Sequence, residues 1–172
     1  MRTEITFTPH SMLRRRIDYI SDADGSHKAA GLKVQTICVG VETAHDLLGT
    51  VRRLISGSVG RRGRKRKHVA WEITVHPANA DDATGAFLSV EEMEKVAREV
   101  LSEFGAKYAL VGFHGLQDVH ILMLNWGETG LGLKSYLPNR SNPRRVLVAV
   151  ADRIEGELNE ERKEAGEVEL ET

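Results

Sequence analysis

The sequence predicts an α/β domain of the α+β kind, a largely antiparallel central sheet with helices packed on it. Three observations lead there. Short alternating apolar stretches are interleaved with segments of helical period. Two apolar strands, Lys107–His114 and Val119–Trp126, are separated only by a short glycine-containing turn, which makes them an antiparallel hairpin. The 172 residues, 41% hydrophobic, suffice for one sizeable core and leave little room for a second.

The elements follow in order. Thr3–Thr8 alternates and reads as a first strand. Ser11 can cap a helix running to about Ile20, with Leu13, Ile17 and Ile20 on one face. The stretch SDADGSHKAAG reads as a loop, and Leu32–Val41 as a second strand. Thr43 can cap a helix that carries Leu47, Leu48, Val51, Leu54 and Ile55. GSVGRRGRKRK is too rich in glycine and charge to form an element alone. In His68–His76, Val69, Trp71, Ile73 and Val75 share one face, while His68, Ala70, Glu72, Thr74 and His76 share the other. Ser89 and Glu92 form a capping box for a helix bearing Val90, Met93, Val96, Ala97, Val100, Leu101 and Phe104, and Gly105 stops it. After the hairpin comes an irregular loop over 127–142. Asn142-Pro143 then opens a last helix to about Arg162.

Composition excludes several classes. No apolar run approaches membrane-spanning length, and MRTEITFTPH has no apolar core of a signal peptide. Cys38 is the single cysteine, so no intrachain disulfide and no cysteine-based zinc site can form, and a cytoplasmic location is the expectation. The net charge of -1 conceals an asymmetry. Arg14–Lys67 holds thirteen Lys/Arg against five Asp/Glu, a basic block of the kind that binds polyanions. From Glu155 onward, eight glutamates face only Arg162 and Lys163, which reads as a solvated helix end running into disorder.

Three segments carry chemistry. In the hairpin, Asp118 and His120 point to one face, and His114 joins them if the register allows. Two imidazoles and a carboxylate suit a divalent metal with open positions; the alternative is a set of exposed residues near a turn. Tyr19 lies off the apolar stripe of its helix, beside Arg15 and Arg16. A tyrosine so flanked can attack a phosphodiester, the arginines favouring phosphate approach and the phenolate; the alternative is an amphipathic tyrosine at the core edge. The run of Arg61, Arg62, Arg64, Lys65, Arg66 and Lys67 suits nucleic-acid phosphates without reading sequence; the alternative is a solvated loop.

Taken in this order, these pieces resemble the relaxases, the plasmid mobilisation nucleases among the HUH (histidine–hydrophobic–histidine) endonucleases. There a helix near the N-terminus carries the nucleophilic tyrosine, which corresponds to Tyr19 in IDYISD. A later strand opens with His and carries Ser or Thr near its end, as His68 and Thr74 do in HVAWEITVHP. An amphipathic helix and a hairpin follow, matched by His114, Asp118-Val119-His120 and Asn125. The likeness covers roughly residues 10–126. The chain departs from the pattern in placing Asp118 where the family has histidine, in a shorter gap after His114, and in Gly115-Leu116 where the family has an aspartate. A carboxylate remains a legitimate ligand for a hard divalent ion.

The resemblance implies a single relaxase-like nuclease domain over 1–163, with 164–172 an acidic disordered tail. It implies single-stranded DNA as partner, held by Arg15, Arg16 and the basic run at a plasmid or mobile-element origin, with accessory relaxosome proteins supplying further functions for conjugation. It implies a divalent metal (Mn, Mg or Zn) on His114, Asp118 and His120, nicking and rejoining through Tyr19, and help in proton transfer from Glu72 and His76. The competing readings are a relaxase-fold module that binds DNA without cutting, motivated by Asp118, and an α/β domain that binds RNA or a protein.

Overall fold

The computed structural model describes residues 1–58, 67–76, 89–115, 118–137 and 142–171. Five strands form one sheet: β1 (Arg2–Thr8), β2 (Val34–Val39), β3 (Ala70–His76), β4 (Ala109–His114) and β5 (Asp118–Leu124). Their spatial order is β1-β3-β5-β4-β2, with every neighbouring pair antiparallel. The expected α+β sheet with packed helices is therefore present, and the expected hairpin is β4–β5.

Alternation along the strands divides the core in two. Ile73, Val75, Val111, Phe113, Val119, Ile121 and Met123 lie on one face, under α4 (Val90–Phe104) and α5 (Pro143–Glu171). Leu110, Leu122 and Leu124 lie on the other, under α1 (His10–Ser21) and α3 (Asp46–Ser58). The faces of β3 follow the predicted alternation, with one exception. Val69 precedes the regular pleat and packs on the α1/α3 side instead of with Trp71.

The helices show where local signals act. Leu13, Ile17 and Ile20 are completely buried, as their spacing predicts. Ser11 is not the cap. The helix begins at His10, and Pro9 stands at the cap position with no side-chain bond. Asp46, the first residue of α3, takes the Thr43 N–H on its carboxylate at 2.9 Å. The Ser89–Glu92 capping box is present in full, and Gly105 ends α4 with φ 64°. Asn142 Oδ1 accepts the Arg144 N–H at 3.0 Å to open α5, which continues to Glu171, beyond the expected end near Arg162. The SDADGSHKAAG loop contains a short helix, α2 (Ser26–Ala29). A 3-10 turn, Leu133–Tyr136, sits within the irregular loop.

One glycine sets the approach of α1 to the sheet. A Cβ on Gly112 of β4 would stand 2.5 Å from the Ile20 carbonyl oxygen and 2.6 Å from Ile20 Cγ2. Only hydrogen lets the end of α1 press onto β4 here. Tyr19, one residue earlier, is thereby brought against the hairpin.

Candidate active site

The register of the sheet places the polar residues together. His114 pairs with Asp118, and Gly112 with His120, across β4–β5. Thr74 pairs with His120 across β3–β5. With alternation, His114, Asp118, His120, Glu72, Thr74 and His76 all point to the α1 side. His114 and His120 are buried, at 2% and 6% exposure, and Glu72 at 3%. These three lie inside the protein, not on an exposed loop end.

Tyr19 is exposed and stands over this group. Its ring centre is 5.3 Å from that of His114 and 5.4 Å from that of His120, both edge-on. The Arg16 guanidinium lies 4.6 Å from the tyrosine ring centre. Arg16 also reaches past the ring to Glu72, with Nε at 2.7 Å and Nη2 at 2.5 Å from the two carboxylate oxygens. Arg15 is exposed one position away. The expected pairing of tyrosine and arginine is present, and Arg16 in addition neutralises a buried glutamate.

Glu72 holds His120 in turn, its Oε1 lying 3.2 Å from His120 Nδ1. Burial opposes the charge of Glu72. The hydrogen bonds from His120 and Arg16 prevail and hold its carboxyl below the ordinary range. The same Glu72 bond raises Arg16 further above its usual value, against burial. Burial pushes the His114 imidazole down, the Ile20 carbonyl opposes this, and the neighbouring His120 and His27 lower it further. His114 is accordingly biased to the neutral form.

His27 joins the group without having been singled out by the sequence pattern. It lies on α2, and its ring is 4.8 Å from Tyr19 and 4.2 Å from His114. Asp22, with φ 55°, ends α1 and anchors α2: its carboxylate accepts the N–H of His27 and of Lys28, and lies 3.1 Å from His27 Nδ1. Asp22 shortly before Gly25-Ser26-His27 was the available signal, since Asx side chains bond backbone amides ahead of them in turns.

The other predicted site residues lie apart. His76 Nδ1 donates to Asp118 Oδ1 at 2.5 Å, with Glu4 at 3.9 Å from His76 Nε2. His68 stacks on Phe7, and its carbonyl accepts from Asn125, at the far end of β3 from His76. Lys67 is exposed, while Arg61, Arg62, Arg64, Lys65 and Arg66 fall outside the described residues.

His114, Asp118 and His120 share a face as expected, but they do not stand as a ligand set. Asp118 is turned onto His76, and His114 Nε2 faces the Ile20 carbonyl at 3.1 Å. Among the described residues no group of three or more His, Cys, Asp or Glu side chains is placed so that it could hold a metal ion.

The chain is similar in structure to the conjugative relaxase TrwC in complex with oriT DNA. A copper-bound structure of that protein matches with 13% identity over 96% of this chain and 71% of that one, at a TM-score of 0.49. A metal-bound structure matches with 13% identity over 92% and 70%, at 0.47. A metal-free structure matches with 12% identity over 91% and 70%, at 0.42. All three are structures of one conjugative relaxase. No family model and no curated protein matches the chain. No helix among the described residues is long and apolar enough to cross a membrane.

Proposed function

We propose that residues 1–163 form a relaxase-like domain that binds single-stranded DNA and nicks it through Tyr19. The observation that carries this reading is the placement of an exposed tyrosine against buried imidazoles and an arginine, on the strands that the sequence resemblance nominates. A solvent-facing phenol beside a preorganised polar cluster is what in-line attack on a phosphodiester needs. The Tyr19 oxygen bonds to phosphorus and the P–O3′ bond breaks, leaving a 5′-phosphotyrosyl link. The phenolic proton ends on the released 3′-oxygen. No water or nucleotide is consumed, so the reverse attack by that hydroxyl rejoins the strand.

The surrounding residues divide the work. Arg16, over the tyrosine ring, favours both the incoming phosphate and the phenolate. Glu72 acts through His120, fixing the orientation of that ring, so it is a positioning residue. His76 is tied to Asp118 and keeps that carboxylate away from the imidazoles. The basic run Arg61–Lys67 holds backbone phosphates.

The test is a labelled library of single-stranded oligonucleotides offered to wild type and Tyr19→Phe. Wild type is expected to cleave a subset of the library, and Tyr19→Phe to bind it without cleaving. Cleavage by Tyr19→Phe, or affinity no greater for single-stranded DNA than for duplex DNA and RNA, contradicts the proposal.

A further inference from the structure

We infer that α2 (Ser26–Ala29) is a hinged lid on the imidazole side of the Tyr19 site, seated by His27 and held shut by Asp22. Little else holds α2 down. None of its four residues is fully buried, and Ser26, Lys28 and Ala29 are exposed, as is Ala30 after them. The His27 ring is turned inward, with its centre 4.8 Å from that of Tyr19 and 4.2 Å from that of His114. A segment with so few buried contacts opens locally without unfolding the core.

The backbone supplies a hinge at each end. Gly25 and Gly31 flank α2 with φ 72° and 82°, and a Cβ on either would meet nothing within 4 Å. Packing therefore does not require these glycines. What they supply is a left-handed conformation and the freedom to leave it, which other residues lack. The chain beyond each hinge is fixed. Before Gly25, the end of α1 presses on the sheet where Ile20 meets Gly112. After Gly31, the Lys33 carbonyl accepts the Gly115 N–H at 2.9 Å, and β2 begins at Val34. Motion is thus confined to the stretch between the glycines.

Asp22 is the latch. It stands outside the hinges, and its carboxylate reaches across Gly25. It accepts the His27 N–H at 2.9 Å and the Lys28 N–H at 3.1 Å, and lies 3.1 Å from His27 Nδ1. These bonds satisfy backbone N–H groups that the start of a helix leaves open. All come from one side chain, so one substitution releases the lid without touching the sheet, Tyr19 or Arg16. Beneath the lid lie His114 and His120, both buried, and His120 Nε2 has no hydrogen-bond partner among the described residues. Tyr19 already meets solvent, but the imidazoles beside it do not. A phosphate set between phenol and imidazoles needs the His27 ring to swing aside. The lid thus gates the site, and this purpose rests on the proposed function while the motion does not.

The test reads opening without DNA, on the full chain. Hydrogen exchange followed by mass spectrometry reports the amides, and acylation by diethyl pyrocarbonate reports the histidines. In wild type the amides of His27–Leu32 are expected to exchange at least about tenfold faster than those of Leu13–Ile20. Asp22→Gly removes the latch yet suits the left-handed end of α1. It is expected to speed exchange over His27–Leu32 and acylation of His114 by about tenfold or more, with exposed His10 as an unchanged control. Asp22→Asn keeps one acceptor oxygen and is expected to fall between, and circular dichroism confirms that both variants fold. Exchange over His27–Leu32 as slow as in α1 overturns the lid, as does His114 acylation that neither variant alters. A lid that opens as expected on a chain that never cleaves DNA supports this inference while contradicting the nicking reading. Cleavage by a chain whose lid fails both measurements does the reverse.

Discussion

At the scale of single residues, the site turns on which side chains already have partners. Tyr19 is exposed and its ring is braced by Arg16, yet its hydroxyl is not used in packing. Tyr19→Phe should therefore abolish cleavage and leave the thermal midpoint unchanged, measured by nicking assay and calorimetry on the same preparation. Glu72 is the opposite case, buried under a bidentate arginine and a histidine. Glu72→Ala leaves the half-buried Arg16 unpaired and His120 unheld, and should cost about 3 kcal/mol in denaturant unfolding. Both residues were legible in the sequence, Tyr19 from its position off an apolar stripe and Glu72 from strand alternation. His27 was not. Its place beside Tyr19 depends on Asp22 folding a polar stretch into a helical turn, and periodicity carries no trace of such a turn in a four-residue element. The exchange of partners by Asp118 was hidden for another reason. Alternation shows which face a residue takes, and not which of two neighbours on that face it will bind.

At the scale of elements, the decisive contact is α1 on the β4–β5 hairpin. Gly112→Ala places a methyl against the Ile20 carbonyl, a backbone atom that cannot rotate away. The variant should lose about 2 kcal/mol or more. It should also lift Tyr19 from the hairpin, so that cleavage falls further than stability alone explains. Circular dichroism melts set beside nicking rates separate the two effects. The capping box of α4 gives an independent check. Ser89→Ala should cost about 1 kcal/mol, shifting the thermal midpoint down by roughly 2–4 °C.

Glu92 of that box also ties α4 to α5, through Arg162 at 2.8 Å. Burial raises its carboxyl, but the bonds from Arg162 and from the Ser89 N–H outweigh this and hold it below the ordinary range. The folded form thus binds its proton less readily than the unfolded chain. This stabilisation is complete above the unfolded value near about pH 4.3 and is lost as pH falls through the lower folded value. Arg162→Gln should destabilise at neutral pH, and the difference from wild type should close in urea titrations as pH falls through the lowered folded value. This helix was the clearest in the sequence because cap, stripe and glycine stop agree. The cap proposed for α1 failed because Pro9 takes the cap position and offers no side-chain bond.

At the scale of the whole molecule, a net charge of -1 coexists with a basic block, which the proposed single-stranded DNA partner would engage. Replacing all six cations of Arg61–Lys67 by serine should weaken DNA binding without changing which sequences are preferred. It should also flatten the salt dependence, by about 0.7 in the log–log slope for each DNA phosphate no longer neutralised. The sheet order places β3, β5 and β4 side by side, which is what lets α1 meet residues from all three, Tyr19 reaching His114 and His120 and Arg16 reaching Glu72. An antiparallel sheet was legible from the hairpin and the alternation. Its strand order was not, since β3 enters between β1 and β5 through pairings distant in sequence.

Covalent joining of Tyr19 to DNA is the central claim. The most direct measurement is tryptic mass spectrometry of the protein after incubation with single-stranded oligonucleotides and nuclease trimming. The expected result is a nucleotide-phosphate adduct on the peptide from Ile17 to Lys28, localised to Tyr19. Cleaved DNA with that peptide unmodified, or an adduct on Tyr108 or Tyr136 instead, would contradict it.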